Sequence, residues 1–581
     1  MPVVPNISTQ IPSGNPTFTI LIDNTPMRGN YSVVSVVITK MVNKISSAKL
    51  SLIDGDPSTN DFELSNTDLF LPGKQIEIKA GYDSTEDTIF KGIVIKHGLK
   101  VRQNSSFLQV ECKHESVKTS VGKSSSISHD LKDSDVFENI ISNYAIQKDI
   151  EQTQINHGDI VKYYSSDWDY LVSRAEANGM LVLTNDEKIK IAKPNLTSSP
   201  KLSLQYGSTI LEFDAEMDSR NQIEKVKSYS WDIANQEVLE QESDTIAEYS
   251  QGNLQSSDLS SVIGLENYEL QHSGNIPDTE LKAWANAQML KSKLSKIEGK
   301  VKSMGYADIN PGDIVALQGV GDRFNGNAFV TGVRHELGNG NWHTDLQFGL
   351  SEKWFTEDVD IHSKPASNLL SGVNGLQTGI VTKLESDPKG EERIQIKLPI
   401  INKDDDGVWA RISSLDAGNN RGSFFRPEIG DEVLVGFLND DPRNAVVLGM
   451  LNSSAKPAPI VASDDNHEKG FVTRSEMKLI FNDDKKDINI QTPAGKSIVI
   501  SEDKGSIVIS DENNNKITMD SNGINIESGK DVIIKASGDV KIEGVNINLK
   551  ASAELKAEAN AAMELKASGT NTVKGAMVQI N

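Results

Sequence analysis

The chain has 581 residues, room for roughly four domains of ordinary size, so a single compact core is excluded. It carries 59 basic against 82 acidic residues, a net charge of -23, and 34 basic against 50 acidic residues lie before position 371. A surface of that sign repels a phosphate backbone. The lone Cys112 cannot close an internal disulfide, which fits assembly in a reducing compartment. The opening "MPVVPNISTQIPSGNPTF" has neither a basic n-region nor an apolar h-region, and no apolar run reaches the ~18 residues of a membrane helix. Export through a cleaved signal is therefore not expected.

From 17 to 115 the chain reads as short strands between polar turns: "TFTILI", "SVVSVVIT", "AKLSLI", "QIEIKAGY", "IFKGIVI" and "SFLQVEC". Regular spacing of this kind predicts a barrel or sandwich over 1–125. A helical and mixed insertion is expected over 126–200. In "SSDWDYLVSRAEANG", Ser166 can cap, Asp169 stands three residues on, and Gly179 can end the helix. Trp168, Leu171, Val172 and Ala175 then share one buried stripe. Strands resume after 201, followed by a weakly patterned stretch near 240–277. A helix is expected over 278–299, with Ala283, Ala287, Leu290, Leu294 and Ile297 along one face. "GDIVALQGV", "NAFVTGVRHEL" and "HTDLQFGL" complete a second β-barrel over 201–370. Five alternating strands in 371–455 fit an OB-fold, and a polar linker occupies 456–470.

The last segment, 471–581, is repetitive. Short β-branched runs such as "SIVIS", "INI" and "KITM" start 7 to 10 residues apart between turn-forming sequences, the signature of a fibrous or solenoid object. Further on, the composition of "ASAELKAEANAAMELKASG" favours a helix, but its pattern does not. The odd positions from 545 to 567 hold Val, Ile, Leu, Ala or Met, and the even ones from 546 to 568 are polar except Ala562. Period two over 24 residues is a strand signal, because successive strand side chains point to opposite faces. The inward set is Val545, Ile547, Leu549, Ala551, Ala553, Leu555, Ala557, Ala559, Met563 and Leu565. One such ribbon buries too little to stand alone, so partner strands are required. Three copies make the smallest closed prism, and the alanines demand a thin one.

Few residues suggest chemistry. Gly319, Gly321 and Gly326 in "GVGDRFNG" fit neither a dinucleotide fingerprint nor a Walker loop, and a hairpin turn at Asn325–Gly326 is the better reading. His335, Glu336 and His343 lack the HExxH spacing of a zinc site and read as surface residues of neighbouring strands. Asp404–Asp406 followed by Gly407 lacks the distal Glu of a calcium loop and reads as a solvated turn. Trp409, Phe424, Phe425 and Phe437 of the OB module can be taken up by its core or by a trimer contact, and the acidic charge argues against nucleic acid there. No catalytic residue, no metal site and no cofactor are expected.

The stretches "INPGDIVALQGVGDRFNGNAFVTGVRHEL", "GNWHTDLQFGLSEKWF", "DAGNNRGSFFRPEIGDEVLVGFLNDDPRNAVVLGML" and "TNTVKGAMVQIN" resemble the VgrG-type spike proteins of contractile injection systems: type VI secretion, extracellular injection particles and phage tails. The resemblance implies a mainly β, non-enzymatic homotrimer. Its two N-terminal barrels per subunit would form a pseudo-sixfold hub against a hexameric inner tube and baseplate components. An OB collar and an intertwined triple-stranded β-helix, a β-prism needle, would follow. It further implies a PAAR-type tip protein docked near Val578, Ile580 and Asn581, effectors as cargo, and a target membrane to be punctured once the particle acts outside its cell. No lysozyme domain stands between OB module and needle, and no effector domain is expected after Asn581. Two other readings compete: a carbohydrate-binding or depolymerising tailspike, and an OB-fold nucleic-acid-binding protein. The absence of Trp, Tyr and Phe from 482–581 weighs against the first, the charge against the second.

If the inward assignment holds, Ala557→Asp places three carboxylates at one level of the axis. It is expected to abolish the trimer, as read by light scattering on the purified chain.

Overall fold

The computed structural model describes residues 14–103, 105–246 and 250–580. The chain is mainly β and divides into two compact units, Met1–Gly372 and Val373–Asn581.

The first unit is built on one 13-stranded sheet with a core at each end. The two predicted β-barrel regions are thus joined. Strand Val33–Met41 from the first pairs antiparallel with Gly326–Gly338 from the second, from Ser35↔Gly338 to Met41↔Gly332. The hairpin formed by Gly326–Gly338 and Asn341–Phe348 serves both cores. Leu337 and Trp342 pack with Ile38, Phe70, Phe90 and Leu108 on one side. Val330, Val333, Leu346 and Phe348 pack with Leu204, Val301 and Leu317 on the other. Cys112 is buried in the first core.

Three sequence expectations change here. The long helix spans Asp278–Leu294 rather than 278–299, and Ile297 instead opens strand Ile297–Met304. The residues after Leu294 satisfy a two-residue period as well as a helical one, and Gly299 sits so close to Asp214 O and Phe348 that only a side chain of hydrogen fits between the strands. The glycine-rich turn is not a tight Asn325–Gly326 hairpin. Gly326 is already the first residue of its strand, opposite Leu317, and the loop runs over 319–325. His335 is not a surface residue: it is fully buried, its Nδ1 lies 3.0 Å from Thr344 Oγ1, and burial pushes its pKa down to about 3.

The insertion after the first core carries α1 (Asp133–Ser142) and α2 (Asp167–Ala177). Ser166 caps α2 as expected, its Oγ accepting the Asp169 N–H at 3.1 Å, and Trp168, Leu171, Val172 and Ala175 are buried. Two ionic networks fasten it. Burial alone would raise the Asp133 pKa, but donors from His157, Arg174 and Asn178 hold it well below the usual carboxylate range. Glu176 at the end of α2 accepts from Lys291 Nζ at 2.9 Å, Asn43 Nδ2 at 3.0 Å and the Phe355 N–H at 2.7 Å. Lys291 also donates to Lys353 O at 2.7 Å and lies 5.3 Å from the Trp354 ring centroid. The stretch expected to be weakly patterned holds a short helix, Ser256–Ile263, and two short strands.

In the second unit five strands, Gln377–Lys383, Ile394–Lys397, Val408–Ile412, Glu432–Phe437 and Ala445–Met450, close into a small barrel around Val381, Ile394, Ile396, Ala410, Val433, Val435 and Val447. Phe437 packs on this core, but Phe424 and Phe425 lie outside it, exposed, because the segment after Arg421–Gly422 leaves the barrel wall. The Asp404–Asp406 turn is exposed, with Asp405 accepting the Gly407 N–H at 2.7 Å. A seven-stranded antiparallel meander follows, beginning with Glu468–Val472 and so a few residues inside the expected linker.

Removing the Glu176 carboxylate leaves the Lys291 ammonium buried without its partner, a loss worth about 3–5 kcal/mol. Glu176→Ala is expected to lower the urea midpoint of the first unit accordingly, whereas Asp149→Ala, which breaks an exposed pair with Lys188, is expected to leave it in place.

Candidate assembly interface

The meander consists of Glu468–Val472, Lys478–Asn482, Asp487–Gln491, Ser497–Ser501, Ser506–Ser510, Lys516–Asp520 and Gly523–Glu527. Each strand has five residues, and each neighbour is joined by a local turn. In 511–515 the Asp511 carboxylate accepts the N–H groups of Asn513 and Asn515 at 2.9 and 3.0 Å. The Asn515 side chain and these backbone donors hold the Asp511 pKa below its ordinary value. Gly523 takes φ +120°, which side chains rarely adopt, to close the last and shortest turn.

Because directly opposed residues share a face, the register sorts every side chain. One row runs Phe471, Leu479, Ile490, Ile498, Ile509, Ile517, Ile526. A second, two residues along each strand, runs Phe481, Ile488, Ile500, Ile507, Met519, Ile524. These thirteen residues all lie on one face. The other face holds Gly470, Ile480, Asn489, Val499, Val508, Thr518 and Asn525 along its middle, flanked mostly by polar residues.

Among the described residues, none forms a second layer over the apolar face. Ten of its thirteen residues are at least 37 % exposed, and Ile490, Ile498, Ile509, Ile517, Ile526 and Val532 line an open trough of about 690 Å³. Single exposed apolar residues are ordinary, but a contiguous ladder of this extent marks an interaction surface. Phe471 extends it toward the barrel, stacking on the exposed Phe425 with ring centroids 5.2 Å apart and planes 15° from parallel.

Beyond Glu527 the described residues form no backbone-paired strand. Val545, Ile547, Leu549, Ala551, Ala553, Leu555, Ala557, Ala559, Met563 and Leu565 are all exposed, as are Val578 and Ile580; Asn581 lies outside the described residues. The chain does not bring the ten expected inward residues onto a core of its own. The meander ladder, by contrast, was not singled out in the sequence, although the alternation within "SIVIS" and "INI" carried the signal. The His335–Glu336–His343 set is split, with His335 interior and Glu336 paired with Arg334. Among the described residues no group of three or more His, Cys, Asp or Glu is placed to hold a metal ion.

A family model for the Alg8 N-terminal domain matches residues 12–339. The type VI secretion system/phage-baseplate injector OB domain matches 377–451, and the phage baseplate V C-terminal trimerisation domain matches 487–556. The type VI secretion system spike protein VgrG4b of Pseudomonas aeruginosa is 31% identical over 123 residues, 20% of this chain and 15% of that protein. VgrG3 of Vibrio cholerae is 30% identical over 100 residues, 15% of this chain and 10% of that protein. The matched part is thus a small fraction of the length of these relatives. The 43 kDa tail protein of prophage MuSo2 from Shewanella oneidensis aligns over 58% of this chain and 99% of that one with a TM-score of 0.44 and 9% identity, a likeness too slight to build on.

A charge on the apolar ladder is expected to prevent assembly, and one on the opposite face is not. Ile498→Asp should yield monomer and Val499→Lys should keep the wild-type oligomer, as measured by size-exclusion chromatography with light scattering.

Proposed function

We propose, for a chain that belongs to the Alg8 N-terminal domain family and is a VgrG-type spike protein, that three copies form the hub and needle of a contractile injection system. The observation that carries this is the uncovered ladder of thirteen apolar residues, ten of which, from Ile488 to Ile526, lie inside the segment matched by a trimerisation domain. Three such faces turned toward a common axis cover one another. The alternating residues from Val545 to Leu565 continue the same arrangement as an intertwined β-prism, with Ala551, Ala553, Ala557 and Ala559 allowing close approach. The polar face of each sheet is left to solvent.

The other assignments follow from this reading. Each copy contributes two β cores in its first unit, so three copies present six, a number suited to a hexameric tube. The barrel of 377–451 forms the collar between hub and needle. The end of the chain, near Val578, Ile580 and Asn581, receives a PAAR-type tip protein. The role is mechanical: a rigid, dry-cored shaft transmits thrust to a membrane, and the chain itself catalyses nothing. Nothing in the fold favours the polysaccharide or nucleic-acid readings over this one.

The full-length protein is expected to be a trimer by light scattering, with a shaft that resists protease and SDS; a monomer overturns the reading. Removing residues 570–581 should leave the trimer intact and abolish co-purification with a PAAR-type protein.

A further inference from the structure

Strand Val33–Met41 turns Val36, Ile38 and Lys40 to the interior, with exposures of 0, 0 and 2 %. Opposite them on Gly326–Gly338 stand Leu337, His335 and Val333, all buried. A lysine therefore occupies a core position in the seam that joins the two halves of the sheet. Its Nζ donates to Asp186 Oδ1 at 2.8 Å and to Asn310 Oδ1 at 3.1 Å.

The three groups come from three separate segments. Asp186 sits in the two-residue turn between strands Leu181–Asn185 and Lys188–Ala192, and Asn310 in the loop between Ile297–Met304 and Ile314–Gln318. Each is held in place. Ser46 N–H and Oγ bond Thr184 and pin the first hairpin. The Asn310 N–H donates to Asp313 Oδ2 at 2.8 Å, and the Asp313 N–H returns to Asn310 O at 3.2 Å. His114 and His335 lie nearby, and burial holds their pKa values at about 4 and about 3, so both imidazoles are neutral and bring no further charge to the site.

A buried ion pair is often no more stabilising than apolar residues of equal volume, so stability alone does not explain a lysine here. A buried amine held against a half-buried carboxyl and a half-buried carboxamide is, however, a reactive set. We propose that Lys40 and Asn310 join in an intramolecular isopeptide bond, with Asp186 carrying the proton.

Asp186 takes a proton from the Lys40 ammonium that it contacts, a transfer that leaves two neutral groups. The free amine adds to Asn310 Cγ, whose oxygen already faces it. Asp186 returns its proton to Asn310 Nδ2 as the Cγ–Nδ2 bond breaks. The surplus proton on Nζ leaves with the ammonia, so one ammonium ion departs and Asp186 ends as the carboxylate it began as. No oxidant, reductant or cofactor is consumed. The bond closes a loop of 270 residues and ties one core of the hub to the loop that leads into the other.

The test uses the purified full-length chain, denatured and weighed by intact mass spectrometry, then digested with trypsin. The expected mass is lower than the sequence mass by one ammonia. Cleavage after Lys40 should be lost, and a branched peptide should link Lys40 to Asn310. Lys40→Arg should return the chain to its sequence mass. Wild-type protein at its sequence mass, with an ordinary peptide ending at Lys40, overturns the proposal. So does an ammonia loss that persists in Lys40→Arg, since it must then arise elsewhere.

Discussion

A β-sheet that is apolar on one face needs a second layer, and the described residues supply none to the seven-stranded meander. That constraint organises the whole C-terminal unit. Each strand pairs with its sequence neighbours, so a single copy can set the register and sort its side chains. Burial is not complete, so the same copy cannot finish the structure. After Glu527 the division of labour shifts. There the alternation persists, but the described residues form no paired strand, and in the proposed assembly backbone pairing as well as burial comes from the other copies.

The first unit solves the layer problem internally. One hairpin, Gly326–Phe348, places its distal residues in one core and its proximal residues in the other. The two cores therefore cannot shift independently without breaking a continuous strand. The insertion is bound to this frame through polar contacts more than through bulk: Glu176 alone gathers donors from three other segments, and Asp133 gathers them from α2 and its own neighbouring strand. Buried networks of this type are satisfied in one geometry only, which makes the joint stiff even where its net contribution to stability is small.

Much of this was legible in the sequence. Short alternating strands located both β regions, the small barrel and the repetitive C-terminal segment, because period two depends only on local geometry. The cap of α2 was legible for the same reason. What failed depended on distant partners. Ile297 and Gly299 fit a helical stripe until the neighbours of Gly299 are known. His335 looks like a surface residue until strand Val33–Met41 covers it. Phe424 and Phe425 fit either a core or a trimer contact in the sequence, and only the path of their segment out of the barrel wall removes the first. Lys40 was invisible, since its two partners lie 146 and 270 residues away. In the C-terminal unit the alternation of the tail was easy to see because it is long, whereas the thirteen-residue ladder is spread over seven short strands and emerges only when their register is known.

The meander has one further consequence. Its strands run side by side at about 4.8 Å, so the ladder grows by one fixed step for every strand added. Chain direction and face are restored only after two strands. Length in this part of the molecule is therefore quantised in hairpins of about 10 Å each, and duplication or loss of one hairpin would change the length of the sheet while leaving every remaining contact in register. Sheets of different lengths arise by counting repeats, with no redesign of the apolar face.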